Sequence, residues 1–207
     1  MYSLIAHEFD KTRYKIWPVV RRFLEEKGGE GFSVYEFGCG NGKNLLYAKE
    51  LGMIVSGSDV CEELVIVCQE KGLCEVSVFD LCSKDIVCGS YDMVLCIAVL
   101  HHLKTHEERL EACLRCIQTC KVGGSVLLTV WSHETHDAKR PKKFTVGDNI
   151  VPWKKKDGSY VDRFYYIYTH DEIINFMELV VASSNNSIKY SIEWEEQNWC
   201  IHISLLR

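Results

Sequence analysis

Short apolar runs and helical apolar stripes alternate through the first two thirds of the chain. Runs at Ser33–Phe37, Ile54–Ser58, Glu75–Phe79, Met93–Ala98 and Ser125–Trp131 read as strands, and they are continuous rather than alternating. That pattern is expected when both faces of a parallel sheet are covered. Between them, Lys43–Leu51, Glu62–Lys71 and His106–Lys121 read as helices. An earlier stripe of Ile16, Val19, Val20, Phe23 and Leu24 predicts an N-terminal helix over 10–27, closed by Gly28 and Gly29. Pro18 inside it is a natural first-turn residue. Asp171–Leu179 reads as a further helix, and Ser187–Trp194 with Trp199–Leu205 as two strands joined by a short polar turn. The expectation is a doubly wound α/β fold: a mostly parallel seven-stranded sheet, closed by a C-terminal antiparallel hairpin, with a ligand crevice at the strand C-termini.

Composition narrows this. The 207 residues suit one domain, and 47% hydrophobic with 26% charged residues is a globular balance. The longest apolar run, Met93 to Leu100, is far short of the ~20 residues of a membrane helix. The first residues carry Glu8 and Asp10 and no basic-then-apolar pattern, so no signal or transit peptide is expected. The 11 cysteines lie mostly in apolar patterns, which points to reduced, buried thiols and a cytoplasmic location. Cys113, Cys116 and Cys120 are expected on one apolar helix face rather than around a metal, and no metal site is expected. Net charge is −5, yet Lys139, Arg140, Lys142, Lys143, Lys154, Lys155 and Lys156 form a basic stretch able to meet a polyanion locally.

The sharpest local motif is Glu36-Phe37-Gly38-Cys39-Gly40-Asn41-Gly42, between the first strand and its helix. Glycines there permit a tight turn and close backbone approach to a ligand at a helix N-terminus. A dinucleotide fingerprint would need its third glycine at position 43, which is Lys43. The E/D-x-G-x-G-x-G spacing instead resembles motif I of class I S-adenosylmethionine-dependent methyltransferases, a Rossmann-like fold. Asp59 ends the second strand, where an acid can accept both ribose hydroxyls, with Val60 beside it; it could also cap a helix. Asp80 ends the third strand and resembles the acid that reads the adenine amino group, with Leu81 supplying an amide; it could also cap a turn. Cys96 and Ala98 close the fourth strand beside the transferred methyl. The resemblance thus puts the cofactor half at 33–98 and the substrate and partner half at 99–207. The Asp/Asn-Pro-Pro-Tyr signature of amino-group methyltransferases is absent.

Further segments extend the likeness. They are Phe9-Asp10-Lys11-Thr12-Arg13-Tyr14-Lys15-Ile16-Trp17-Pro18, Ile97-Ala98-Val99-Leu100-His101-His102, Val130-Trp131, Val151-Pro152-Trp153, Arg163-Phe164-Tyr165-Tyr166 and Asn198-Trp199. In this order they closely resemble the eukaryotic tRNA carboxymethyluridine methyltransferases. That family esterifies the side-chain carboxylate of 5-carboxymethyluridine at the wobble position. Glu36 stands where the family usually has Asp, Leu103 where an aromatic is common, and the segment between Trp153 and Arg163 is shorter than usual. The resemblance implies tRNA as substrate and a heterodimer with a small zinc-binding activating subunit on an apolar sheet edge.

A carboxylate acceptor is ionised at neutral pH, so the transfer needs placement and desolvation rather than a general base. Arg13 is the first candidate to hold that anion as a fork-shaped donor, with Arg163 similar. His101 or His102 could meet the uracil edge, or simply pack. Tyr14, Trp131, Trp153, Tyr165 and Tyr166 could stack on anticodon bases, each having core packing as its plainer use. Asn198 and Trp199 read as structural. A methyltransferase acting on a small carboxylic acid or other metabolite explains the glycine loop equally well, but not the basic stretch. A non-catalytic interaction module sits poorly with the intact glycine loop and Asp59.

Overall fold

Trp17 precedes a proline, and the proline ring disfavours helical backbone at the residue before it. Trp17 is accordingly extended and the helix α1 runs only over Pro18–Lys27, with Pro18 in its first turn. This corrects the expected helix over 10–27. The computed structural model describes residues 10, 15–83, 90–134, 144–155 and 157–206. α1 buries Val19, Val20, Phe23 and Leu24, the stripe read from the sequence.

The elements that follow are β1 (Ser33–Phe37), α2 (Lys43–Glu50), β2 (Ile54–Asp59), α3 (Glu62–Glu70), β3 (Val76–Val78) and β4 (Tyr91–Ile97). A 3-10 turn at Leu100–His102 leads to α4 (His106–Thr119) and β5 (Cys120–Trp131). A hairpin of β6 (Gly147–Lys154) and β7 (Tyr160–Ile167), then α5 (His170–Ser183), β8 (Ile188–Glu195) and β9 (Asn198–Leu205), complete the order. The main sheet runs β3-β2-β1-β4-β5-β9-β8. β3, β2, β1, β4 and β5 pair in parallel, and β9 and β8 are antiparallel. The doubly wound sheet with its closing hairpin is the expected one. The strand order reverses between β1 and β4, and in such sheets ligands gather outside the strand C-termini at that point.

Each face of the sheet has its own core. One joins Phe37, Val94, Cys96, Val126 and Leu128 to α4 and α5; the other joins Val34, Met93, Leu95 and Leu127 to α1, α2 and α3. Alternate residues of β1, β4 and β5 therefore go to opposite cores, which is why those strands read as unbroken apolar runs. α4 and α5 open with capping boxes, Thr105 with Glu108 and Thr169 with Glu172. α4 stops at Thr119, so Cys120 is extended and begins β5 rather than lying on the helix beside Cys113 and Cys116. All three thiols are nonetheless buried.

The β6–β7 hairpin is the element the sequence pattern did not yield. Its strands pair from Gly147–Ile167 to Lys154–Tyr160, with Pro152 opposite Asp162. A proline and a lysine run disguise β6, although β7 alternates exposed and covered positions at Tyr160, Val161, Asp162 and Arg163. The hairpin is fastened to the main sheet where Tyr168 N donates to Trp131 O at 3.1 Å and His133 N donates to Tyr168 O at 2.8 Å. That seam brings Arg163 and Tyr165 to the C-terminal side of β4 and β5.

Candidate active site

The loop after β1 is shaped by backbone that only glycine tolerates well. Gly38, Gly40 and Gly42 have φ of 63°, 56° and 76°. A Cβ on Gly38 would stand 2.4 Å from Val99 Cγ2, and one on Gly42 2.5 Å from Leu73 Cδ1. Left-handed backbone and lack of room both select glycine. The Gly38–Val99 approach also presses the loop against the segment that follows β4, so the two halves of the site share a wall.

Asp59 closes the loop from the β2 side. Its Oδ2 accepts from Gly40 N at 2.8 Å and its Oδ1 from Cys61 N at 2.9 Å. Burial raises its pKa, against the lowering effect of the Cys61, Gly40 and Val60 amides. The Val60 side chain itself points to solvent. Cys39 is buried, and Cys68 Sγ donates to Gly40 O. Asn41 Nδ2 donates to Asp10 Oδ1 at 2.9 Å, and Lys71 bridges Asp10 and Asn41 O. Lys43 Nζ donates to Lys15 O. Asp10 and Lys15 are thus fastened to the glycine loop and α2. Arg13 and Tyr14, between them, lie outside the described residues, as do Lys139, Arg140, Lys142, Lys143 and Lys156.

Glu36 is buried, and its Oε1 accepts from Asn44 Nδ2 at 2.6 Å. Asn44, in the first turn of α2, was not among the candidate residues; its signal was a polar residue two positions after Gly42, where a helix should begin burying apolar groups. Asp80 is exposed and its Oδ1 accepts from Cys82 N at 2.8 Å, a turn-capping contact that leaves its other oxygen outward. Leu81 is buried beneath it. The Cys96 side chain belongs to the core with Cys113 and Cys116, so this residue packs the sheet and does not reach a ligand with its thiol. Ala98 has φ 58°, and its N–H is held by Thr129 O and Oγ1. A left-handed non-glycine residue at a strand end is the kind of strain that collects at working sites.

Beyond Ala98, the 3-10 turn delivers His101 and His102 into an aromatic nest. His101 is wholly buried; its Nδ1 accepts from Trp131 N at 3.2 Å, which puts the ring proton on Nε2, and Nε2 has no partner. Its ring stacks on Tyr165 at 5.0 Å. His102 Nδ1 is 3.0 Å from Phe164 O. Burial pushes the His101 pKa well down, helped by His102 and Arg163, and takes His102 to about 4. Both rings are neutral at physiological pH. Trp131 lies against Tyr165 at 4.3 Å and Phe144 at 5.4 Å. Tyr165 is therefore covered by protein and forms a wall of the nest rather than a platform for a base; Lys154 is exposed on β6.

Arg163 completes the nest. It is only 6% exposed, its guanidinium lies 4.9 Å from the Trp153 ring centre and 5.1 Å from that of Tyr165, and its Nε is unpaired. Among the described residues no carboxylate lies within ion-pair distance of it. Buried arginines are normally paired, because a lone charge is expensive to desolvate. Arg163 and the unpaired His101 Nε2–H share this buried nest, the cation lowering the pKa of the ring. Asn198 and Trp199, by contrast, are buried in the sheet, with Trp199 Nε1 donating to Tyr168 O. Among the described residues no cluster of His, Cys, Asp or Glu could hold a metal ion, and no helix is long and apolar enough to cross a membrane.

Residues 35–128 match the family model described as "Methyltransferase domain". The fold is similar to the solved structure of a DhpI–SAM–HEP complex, with a TM-score of 0.69 over 98% of this chain and 93% of that one, at 17% identity. Sheet order, glycine loop and strand-end acids together are those of the class I S-adenosylmethionine-dependent methyltransferase fold, and the chain has that fold.

Its sequence relatives include proteins named tRNA (carboxymethyluridine(34)-5-O)-methyltransferase. The one from Macaca fascicularis is 34% identical over 157 residues, 76% of this chain and 23% of that protein. The one from Schizosaccharomyces pombe is 29% identical over 223 residues, 97% of this chain and 92% of that protein. The chain therefore spans about a quarter of its animal relatives and nearly all of the fission-yeast one. The site fits the cofactor of its class: the left-handed glycine loop carries no side chains at Gly38, Gly40 and Gly42, and the buried Glu36 beside it has an oxygen, Oε2, without a partner.

Proposed function

We propose that this chain transfers a methyl group from S-adenosylmethionine to the carboxylate of 5-carboxymethyluridine at the tRNA wobble position, giving the methyl ester. The observation that carries the reading is Arg163: a buried guanidinium with no carboxylate partner among the described residues, lying over the rings of Trp153 and Tyr165 and close enough to His101 to lower its pKa. Its fork suits a carboxylate bidentately, and the His101 Nε2–H offers one further donor to the same group or to the uracil edge. The names of the sequence relatives point the same way.

In this reading Glu36 meets the methionine amine, the Gly38–Gly42 loop passes along the methionine and sulfonium, and Asp59 holds the ribose hydroxyls. Asp80 with the Leu81 amide would read the adenine. The cofactor supplies an electrophilic methyl group. The protein's own residues need only hold the acceptor anion in line and exclude water, since a carboxylate with a pKa near ~4 needs no base. The neutrality of His101 and His102 agrees with that division of labour. Arg13 and Tyr14 are proposed as further substrate contacts, and Lys139, Arg140, Lys142, Lys143 and Lys154 as phosphate contacts. We also propose a cytoplasmic heterodimer with a small zinc-binding subunit; Val60, Ile66 and Val78, exposed apolar side chains on or beside edge strand β3, are the surface that would suit it.

The test is radiolabel transfer from S-adenosylmethionine into three acceptors, with the activating subunit supplied. They are tRNA carrying carboxymethyluridine, the same tRNA with unmodified uridine, and free small carboxylic acids. Label in the first alone supports the reading. Label only in the small acids replaces it with a metabolite methyltransferase.

A further inference from the structure

Glu36 lies in the middle of the sheet, opposite Gly57 of β2 and Leu95 of β4, and is 1% exposed. Its carboxyl receives one hydrogen bond, from Asn44 Nδ2. The second oxygen, Oε2, has no partner, and neither has Oδ1 of the same Asn44. As a carboxylate, Glu36 would be a buried charge with one bond, and the amide bonded to it would carry a second buried acceptor that also lacks a donor. Neither is tolerable on its own. One proton on Oε2 removes both faults. A carboxylic acid and a primary amide form a cyclic pair: the amide N–H donates to one acid oxygen while the acid O–H donates to the amide oxygen.

The charged and titratable groups around Glu36 do not supply an alternative. Lys43 of α2 favours the anion but spends an ammonium hydrogen on Lys15 O. Asp59 at the end of β2 opposes it, and Cys39 in the loop is a buried thiol. We propose that Glu36 is a neutral acid paired with Asn44 while the cofactor is absent, and that seating the cofactor's ammonium group ionises it, so that binding releases one proton. The second half rests on the assignment of Glu36 to the methionine amine made above; the first half does not. Burial, partly offset by the Asn44 bond, takes Glu36 to about 8, which agrees with the hydrogen-bond pattern.

The proton goes from Glu36 Oε2 to solvent, and Asn44 keeps its Nδ2 bond to Oε1. Asn44 is thus a positioning residue for Glu36. Below the pKa of Glu36 each unit of acidity weakens cofactor binding about tenfold, because a proton must first be removed.

The experiment is titration calorimetry of the full chain with S-adenosylhomocysteine in buffers of different ionisation enthalpy. At pH 7 close to one proton should leave per molecule bound, and affinity should rise about tenfold from pH 6 to pH 7 and level off above about 8. Glu36→Gln keeps both bonds to Asn44 and should bind with no proton release and no pH dependence. Binding to the unaltered chain with buffer-independent heat overturns the inference while the cofactor assignment stands. No binding at any pH overturns the cofactor assignment and with it the released proton. The neutral acid is then judged by denaturation between pH 5 and 8: the unaltered chain should lose stability relative to Glu36→Gln as pH rises, and parallel curves overturn it.

Discussion

Replacing Arg163 with methionine separates binding of the acceptor from stability of the fold. The guanidinium has no protein carboxylate among the described residues, so its removal orphans no partner. What the fold loses is stacking on Trp153 and Tyr165, about 0.5–2 kcal/mol per ring, and methionine restores part of it. What it gains is relief from a desolvated, unpaired charge, an opposing effect of a few kcal/mol. The net change in unfolding free energy should stay within about 2 kcal/mol. The acceptor loses a bidentate, charge-assisted pair at about 1.5–3 kcal/mol per bond, or about 3–6 kcal/mol in all. That corresponds to a fall of about 10²–10⁴ in kcat/KM. Single-turnover methyl transfer reads the fall, calorimetry with S-adenosylhomocysteine checks that cofactor affinity stays within about threefold, and chemical denaturation reads the fold. Arg163→Lys keeps the charge but not the fork and should recover only part of the activity. A methionine variant that folds and methylates within threefold of the unaltered chain would refute the anion nest.

Three other outcomes follow from the same structure. Gly42→Ala puts a Cβ against Leu73 and Cys68 at φ 76° and should destabilise the fold by about 2–4 kcal/mol while abolishing measurable cofactor binding, as read by denaturation and calorimetry. Asp92 is pushed up by burial but more than compensated by bonds from Ser33 Oγ, Ser33 N and Lys121, which bring it to about 2. Its folded pKa is below its unfolded one, so its contribution, at most about 2 kcal/mol, is complete above pH 4 and lost as pH falls toward 2; Asp92→Asn should flatten that part of the acid-denaturation curve. With cofactor saturating, kcat should be flat from about pH 6 to 9, because the acceptor carboxylate titrates near ~4 and burial holds His101 and His102 neutral throughout. A rise in kcat with an apparent pKa between 6 and 7 would put a histidine base back into the mechanism.

The doubly wound parallel sheet was legible because each run in β1, β4 and β5 feeds two cores at once, a pattern that admits few other folds. The glycine loop was legible because left-handed backbone at Gly38, Gly40 and Gly42 is a demand that the residue type itself announces. What the pattern concealed depends on contacts distant in sequence. Pro18 marks a first turn, and the helix does start there; the apolar stripe extends to Ile16 because periodicity does not register the extended backbone that a proline imposes on Trp17. The β6–β7 hairpin was hidden because its buried face packs on Trp131 and Phe144 rather than on the main core. The place of Cys96 at a strand end suggests a cofactor neighbour, whereas strand alternation turns its side chain to the α4 core. Arg163 could be suspected from its neighbours in the chain, but its lack of a carboxylate is visible only once β7 is folded over His101. Glu36 and Asn44 are eight residues apart, and nothing in their spacing reveals that they share one unsatisfied edge.

The central claim is that a carboxylate held by this site becomes a methyl ester. Mass spectrometry of nucleosides from tRNA carrying carboxymethyluridine, after reaction with the chain in the presence of the proposed zinc-binding subunit, tests it most directly. The account predicts that the modified wobble nucleoside gains one methyl group and that mild alkali returns it to the free acid. A methyl group that survives alkali, or that appears on tRNA lacking the carboxymethyl side chain, would contradict it.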